Sequence, residues 1–257
     1  MSPFEVVPGH VDSTVILHVP HSSTSIPAPV RAGIVLDDDS LAVELAAITD
    51  ADTHLIAEGA AAAAVVRPWI FVNRASRLVV DPERFPDERE EFNEVGMGAV
   101  YERTTTGAVL RTPTPEQRQA LIDEFYIPYA DGISQLVRDR LAAHGRVTII
   151  DVHSYPLVPN RYELHADGPR PEICVGTDAI HTPDDLRDQV LDAMRATAPT
   201  GDVGLNSPFW GCYVPLEQYG TNDAVRAVML EIRRDVVAHR LDALVHGVGV
   251  LVSTIDA

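Results

Sequence analysis

The sequence has little cysteine, few basic residues and no long apolar run. Its two cysteines, Cys174 and Cys212, exclude a disulfide scaffold and a four-cysteine zinc knuckle. Twenty Lys and Arg stand against 38 Asp and Glu, which gives a formal net charge of −18. This balance argues against binding to a nucleic-acid backbone or to an anionic membrane surface, since both need clustered positive charge.

No segment resembles a targeting or membrane-spanning element. Residues 1–12 contain no basic segment followed by an apolar run, so no secretory signal is expected. No uninterrupted apolar stretch approaches the ~20 residues that a spanning helix needs. A cytoplasmic enzyme that acts on a small molecule is therefore the default expectation, although composition does not distinguish an enzyme from a binding protein.

Several familiar catalytic motifs are also absent, including the P-loop, the G-x-S-x-G elbow and H-E-x-x-H. The chain has 257 residues, of which 46% are hydrophobic and 23% are charged, and this composition fits a folded domain with a sizeable core. Apolar runs of strand length alternate with helical patterns. This alternation predicts an α/β fold with three α/β/α layers and a mostly parallel or mixed central sheet.

The predicted strands are 14–20, 63–67, 69–72, 78–80, 146–152, 172–175, 227–232 and 248–252, and the predicted helices are 40–62, 115–143, 183–198 and 233–245. We expect one hydrolase-type domain over residues 1–257. The acidic, glycine-containing segment 81–113 fits neither periodicity, and it is either a lid or a surface excursion.

Polar residues that follow the predicted strands suggest a metal site, because ligands collect at the carboxyl ends of strands in open α/β sheets. His21 follows the first strand, His153 ends the strand 146–152, and Glu231 ends the strand 227–232. Catalytic zinc takes three His or carboxylate ligands, while a separate carboxylate accepts a proton from water. Each histidine could equally be a buried structural residue. Asp52 is the candidate third ligand, with Asp50 and His54 as rivals.

The segments HVPHSSTSIP (18–27) and RVTIIDVHSYP (146–156), followed by AVMLEIRRDV (227–236), resemble the N-formylglutamate amidohydrolase family. VNRASRLVVDPERFPDE (72–88) and NSPFWGCYVPLEQYG (206–220) are similar to its other blocks, so that the resemblance covers about residues 15–240. The resemblance implies a phosphorylase/hydrolase-like fold and zinc-dependent hydrolysis of an N-acyl amide. It carries His21, Asp52 and His153 over as zinc ligands.

The resemblance also implies roles for residues around the metal. Glu231 corresponds to the general base of related zinc carboxypeptidases. Arg74, Arg77 and Arg84 are expected to bind the free carboxylate of a small-molecule substrate, because arginine holds carboxylates bidentately. The alternative is that they pair with Asp81, Glu83 or Asp87 at the surface. Asp151 and Ser154 are expected to support the metal ligands without binding the metal themselves, although Asp151 could instead bond a helix N-terminus.

Two features depart from the family pattern and bear on the substrate. Asp81-Pro82-Glu83-Arg84 stands where Asp-x-Asn-Arg is usual, and Gly211-Cys212 stands in place of Gly-Gly. The expected reaction is hydrolysis of an N-acyl amide of an acidic amino acid, such as N-formylglutamate. The alternatives are a zinc carboxypeptidase, another N-acyl amino acid deacylase, and a catalytically inactive binding protein of the same fold.

Overall fold

A seven-stranded mixed sheet forms the centre of the protein in the computed structural model, which describes residues 2–164 and 166–257. The strands run in the order β1-β3-β2-β4-β7-β5-β6 across the sheet. The four central strands β3, β2, β4 and β7 are parallel, β1 pairs antiparallel with β3, and β5 pairs antiparallel with β7. The strands are β1 Phe4–Val7, β2 Val15–Val19, β3 Trp69–Asn73, β4 Val147–Tyr155, β5 Ile173–Gly176, β6 Val203–Leu205 and β7 Val225–Arg233.

Helices cover both faces of this sheet. They are α1 Ala28–Arg31, α2 Asp38–Ile48, α3 Thr53–Ala63, α4 Pro115–Leu121, α5 Ile127–His144, α6 Asp184–Thr197 and α7 Arg234–Ile255, with a π-helical turn at Ile122–Tyr126 and a 3₁₀ turn at Glu91–Val95. On one face, α3, α6 and α7 pack on the side chains of Leu17, Ile150 and Leu230. On the other face, α5 packs on those of Ile16 and Ile149. Successive side chains of each strand point to opposite faces of the sheet, so that each face packs against its own layer of helices. The resulting three layers confirm the predicted α/β fold.

Some predicted elements differ from the observed ones. The helix predicted over 40–62 is two helices separated at residues 49–52, and neither 63–67 nor 78–80 forms a strand. The segment 248–252 lies inside α7 rather than in the sheet. Val248, Leu251 and Val252 are buried because α7 packs closely on α3 and α6. Gly247 allows this approach, since a Cβ there would lie 2.0 Å from Thr197 Oγ1.

One helix is long and apolar enough to span a membrane by composition. It is α7, with 22 residues and a mean hydropathy of 1.3 over its most apolar window. The side chains of Val237, Leu244, Val248 and Val252 on this helix are buried in the main core. The apolar composition of α7 is therefore accounted for by its packing against α3, α6 and the sheet.

Segment 81–113 is largely irregular but carries its own buried residues. Met97, Tyr101 and Leu110 are fully buried in a small apolar cluster that also contains residues of α2. The beginning of this segment, with Glu83 and Arg84, lines a cavity above the sheet. Whether the segment opens as a lid stays a prediction, but its first residues take part in building the candidate site.

Candidate active site

The central strands bring the predicted polar residues to one edge of the sheet. His21 lies two residues beyond the end of β2, and His153 lies near the end of the neighbouring strand β4. Glu231 on β7 pairs in register with His153, so that their side chains project from the same face. Parallel strands end at a common edge, and this places three predicted residues together although they are more than 70 positions apart in sequence.

Two histidine nitrogens and one carboxylate oxygen converge at this edge. His21 Nδ1 lies 3.3 Å from His153 Nδ1, and Asp50 Oδ2 lies 3.1 Å from His153 Nδ1 and 3.7 Å from His21 Nδ1. All three side chains are buried. They form a compact triangle of donor atoms with one face turned toward a cavity.

The dimensions of this triangle fit zinc. Tetrahedral zinc with ligands about 2.05 Å away has donor atoms separated by about 3.3 Å, since a tetrahedron edge is about 1.63 times the bond length. The observed separations of 3.1, 3.3 and 3.7 Å bracket that value. Two histidines and one carboxylate are also a ligand set that catalytic zinc uses. The residues present therefore fit the metal.

Asp50 occupies the position that the sequence assigns to Asp52. The backbone between α2 and α3 breaks the predicted helix, and the Asp50 N–H donates to the carbonyl of His21 at 3.0 Å. This contact turns the Asp50 side chain inward. Asp52 is exposed at the start of α3 with a φ of 65°, and His54 belongs to no cluster of metal donors among the described residues. Asp50 thus replaces Asp52 as the candidate third ligand.

A buried carboxylate supports His21 from behind. His21 Nε2 bonds Asp81 Oδ1 at 2.9 Å, and Arg77 and Tyr101 both donate to Asp81 Oδ2, at 2.6 and 2.5 Å. Burial raises the pKa of Asp81, but the charges of Arg77 and His21 outweigh it and hold this pKa well below its usual range. Arg77, predicted to bind substrate, lines the cavity but has its guanidinium fork on Asp81. The observed partner of Arg77 is thus Asp81, the carboxylate that also bonds the candidate ligand His21.

A second carboxylate lies behind His153. Asp151 Oδ1 is hydrogen-bonded to His18 Nδ1 at 2.8 Å, and it lies 3.0 Å from His153 Nε2 in an ion-pair contact without hydrogen-bond geometry. His18 continues this chain, because its Nε2 bonds the Tyr129 hydroxyl at 2.5 Å. Sequence reasoning missed His18, although it stands three residues before His21 in the HVPHSS motif.

Glu231 has the setting of a base rather than of a salt-bridge partner. Its Oε2 atom is buried and has no hydrogen-bond partner among the described residues. Burial raises the pKa of Glu231 to about 8, although the charge on His153 acts in the opposite direction. Arg233, the expected salt-bridge partner, bonds Asp235 at 2.7 Å instead. Ser154 Oγ also lines the cavity and has no partner in the described part of the chain.

Glu83 is a further carboxylate at the site. Its Oε2 lies 3.3 Å from His153 Nε2 and 3.4 Å from His21 Nε2, and its side chain is 16% exposed. The sequence assigned Glu83 no role at the metal site and marked it as a departure from the family pattern. The structure places the Glu83 carboxylate directly against the candidate ligands His21 and His153.

The remaining arginines divide between the cavity and the surface. Arg74 does not line the cavity, and its guanidinium pairs with Glu5 at 2.6 Å on the surface. Arg84 lines the cavity, with its guanidinium 3.6 Å from the ring centre of Phe92 and its Nε without a hydrogen-bond partner among the described residues. Arg234, which the sequence analysis did not select, also lines the cavity.

Arg84 lies 3.7 Å from Asp81, and Arg234 lies 3.6 Å from Asp50, so that neither is free of carboxylates. These contacts are longer than the 2.6 Å pairs of Arg74 and Arg77, and both side chains line the cavity. Arg84 and Arg234 are therefore the better candidates for binding a carboxylate.

The cavity above these residues measures about 210 Å³. A catalytic-type donor set, an unpaired carboxylate and two arginines thus surround a space for a small molecule at the strand ends. Together with the three-layer α/β fold, this arrangement is typical of metal-dependent hydrolases.

Comparison with known proteins identifies the family. The model of the N-formylglutamate amidohydrolase family matches residues 13–238, and the chain belongs to this family. The fold is similar to a crystal structure of an N-formylglutamate amidohydrolase from Ralstonia eutropha, with a TM-score of 0.81 and 20% identity over 100% of this chain and 98% of the other. The fold is also similar to the crystal structure of a gene product from Agrobacterium tumefaciens, with a TM-score of 0.72 and 22% identity over 100% of this chain and 97% of the other. No curated protein sequence matches the chain.

Proposed function

We propose that this protein is a zinc-dependent amidohydrolase that removes a formyl-type acyl group from the nitrogen of an acidic amino acid. N-formylglutamate, hydrolysed to formate and glutamate, is the model substrate. The observation that carries the proposal is the zinc-sized triangle of His21, Asp50 and His153 beside the unpaired carboxylate of Glu231. Family membership supports cleavage of an amide bond.

His21, Asp50 and His153 would hold the metal, with Asp81 and Asp151 fixing the two imidazole rings from behind. Bound there, zinc would supply a Lewis acid that polarises the amide carbonyl and lowers the pKa of water to about 7. The three side chains are buried and already lie at zinc-sized separations, so that little reorganisation should accompany metal binding.

Glu231 would move the proton. Its carboxylate accepts a proton from water as the water oxygen forms a bond to the amide carbon, and it delivers that proton to the amide nitrogen as the C–N bond breaks. The products are a carboxylic acid and a free amine. Burial raises the pKa of Glu231, and the positive charge of a bound zinc ion would act in the opposite direction and favour the carboxylate that accepts the proton.

Arg84 and Arg234 would bind the carboxylate of the amino acid. The chain carries a net charge of −18, so that an anionic substrate needs local positive charge at the site. Both arginines line the cavity that contains Glu231, whereas Arg74 pairs with Glu5 at the surface. An arginine–carboxylate contact there would orient the scissile amide toward the candidate metal centre.

Metal analysis with a small substrate panel tests the proposal. We expect about one zinc per chain and hydrolysis of N-formylglutamate in preference to N-formylleucine. Preferred release of a C-terminal residue from a peptide would favour the carboxypeptidase alternative, and hydrolysis of N-acetyl amino acids without any hydrolysis of N-formylglutamate would favour another deacylase. A protein that binds these compounds without hydrolysing any would be the inactive binding protein.

The variant Glu231→Gln separates the base from a structural role. Glutamine keeps the shape but cannot accept the proton, so that turnover should fall about 10²–10⁴-fold. Zinc content and melting temperature should stay close to those of the wild type, because Arg233 bonds Asp235 rather than Glu231. Glu58→Gln, on the α3 surface, serves as the control. Unchanged turnover of Glu231→Gln would end the assignment of the base.

A further inference from the structure

A second cavity adjoins the first. It measures about 390 Å³ and shares four lining residues with the cavity that contains Glu231, namely Glu83, Arg84, Trp210 and Met229. A formyl group adds only one carbon and one oxygen to the amino acid nitrogen. The space next to the candidate metal centre is thus much larger than a formyl group needs.

The walls of the second cavity are mainly apolar and aromatic. Tyr126 and Tyr213 close it on the inside, and Tyr219 stands at its rim with its ring centre 6.2 Å from that of Phe85. Apolar side chains remain exposed at the mouth, where Leu216 is 43% exposed and Tyr219 is also 43% exposed. Aromatic walls with an apolar rim favour a ligand that buries apolar surface there.

The arginines of the two cavities favour one orientation of a substrate. Arg84 stands on the shared wall, whereas Arg77 and Arg234 line only the first cavity. Carboxylates line both cavities, so that the difference between them is the two further arginines and the candidate metal donors of the first. The anionic amino acid is therefore expected in the first cavity, and the neutral acyl group in the second.

We propose that the second cavity is an acyl subsite for an apolar group of about the size of a phenyl ring. The enzyme then acts on N-acyl amino acids with acyl groups larger than formyl. This inference rests on the proposed amidohydrolase function for its catalytic consequence. The subsite itself can be tested by binding alone, without any hydrolysis.

The test compares two substrates and one ligand. N-phenylacetylglutamate should be hydrolysed with a kcat/KM at least equal to that of N-formylglutamate. Phenylacetamide, which carries the acyl group and the amide without a charge, should bind to the protein in a calorimetric titration.

Ala179→Trp provides the obstructing variant, because Ala179 is exposed and lines the second cavity but not the first. It should lower kcat/KM for the phenylacetyl substrate at least tenfold, weaken phenylacetamide binding, and leave hydrolysis of N-formylglutamate unchanged. Ala142→Trp, exposed on α5, controls for the added indole.

The outcomes distinguish the two proposals. Hydrolysis of the formyl substrate alone, without phenylacetamide binding, would overturn the acyl subsite and leave the amidohydrolase function intact. Hydrolysis of neither substrate, with phenylacetamide binding that Ala179→Trp weakens, would overturn the function and support the subsite. Equal loss of both activities in Ala179→Trp, at an unchanged melting temperature, would also refute a separate subsite.

Discussion

Exchange of Asp50 for asparagine is the sharpest test of the candidate metal centre. Asparagine keeps the shape of the side chain and removes its charge. The Asp50 carboxylate lies 3.1 Å from His153 Nδ1, within the zinc-sized triangle. Replacing a residue that only supports a ligand already costs 10–100-fold in metal affinity, so that loss of a ligand should cost at least about 100-fold.

The effect on thermal stability follows from linkage. At a zinc concentration of 100 times the dissociation constant, binding stabilises the folded state by about 2.7 kcal/mol. For a chain of this size 1 kcal/mol shifts the melting temperature by about 2–4 °C, so that zinc should raise that of the wild type by about 5–11 °C. With affinity reduced 100-fold, the same zinc concentration gives about 0.4 kcal/mol and a shift of about 1–2 °C.

The measurement is the zinc-induced shift within each variant, by scanning fluorimetry, so that differences in metal-free stability cancel. Asp52→Asn is the matched control: Asp52 is exposed, and asparagine tolerates its φ of 65°. Its zinc-induced shift should equal that of the wild type. A full shift in Asp50→Asn together with a lost shift in Asp52→Asn would refute the geometry and restore the ligand assigned from the sequence.

Two further substitutions test the surroundings of this centre. Arg234→Ala should raise KM for N-formylglutamate about tenfold or more at saturating zinc, since a hydrogen bond to a charged group contributes about 1.5–3 kcal/mol, and it should leave KM for a neutral amide analogue unchanged. Arg74→Ala is the control, because Arg74 is paired at the surface, and it should change neither KM. Equal losses on both substrates in Arg234→Ala would contradict a carboxylate contact. Asp151→Asn should weaken zinc binding 10–100-fold in a chelator competition while the protein stays folded, and unchanged affinity would show that Asp151 does not orient His153.

The sequence predicts the fold and the meeting of His21, His153 and Glu231 because both depend on strand periodicity. Buried β-branched runs identify β2, β4 and β7, and residues two apart on one strand share a face. Asp151 and His153 therefore had to project together. The short strands β1 and β6 escaped prediction because they are only partly buried and carry little periodic signal, whereas the equally short β5 has a fully buried apolar run.

The third metal donor could not be predicted in the same way. Asp50, Asp52 and His54 fall in one stretch without glycine or proline, so that nothing local marks the end of α2. The break depends on a tertiary contact, the bond from the Asp50 N–H to the His21 carbonyl. The direction of the Asp50 side chain thus depends on the backbone of His21, just beyond β2 and some 30 residues earlier in the sequence.

The roles of the arginines depend on partners that are distant in sequence. Arg74 is held by Glu5, which lies 69 residues away, and no local pattern announces that pair. Arg77 bonds Asp81 at a spacing of four residues, a pairing that the sequence offers as the alternative to substrate binding. The sequence alone therefore does not decide whether an arginine beside a strand end faces the cavity or an acidic residue of the chain.

The charge balance of the site supplies a separate argument for a bound cation. Burial opposes ionisation of Asp50, Asp81 and Asp151, yet nearby positive charge lowers the pKa of all three, so that they are anionic at neutral pH. Burial likewise opposes the charged forms of His21 and His153, and the surrounding carboxylates outweigh it and raise the pKa of both. Metal ligation needs these histidines neutral, so that zinc must displace the protons that the raised pKa values favour. A divalent cation supplies positive charge among the carboxylates in place of those protons, and the affinity of the site for zinc should therefore rise with pH.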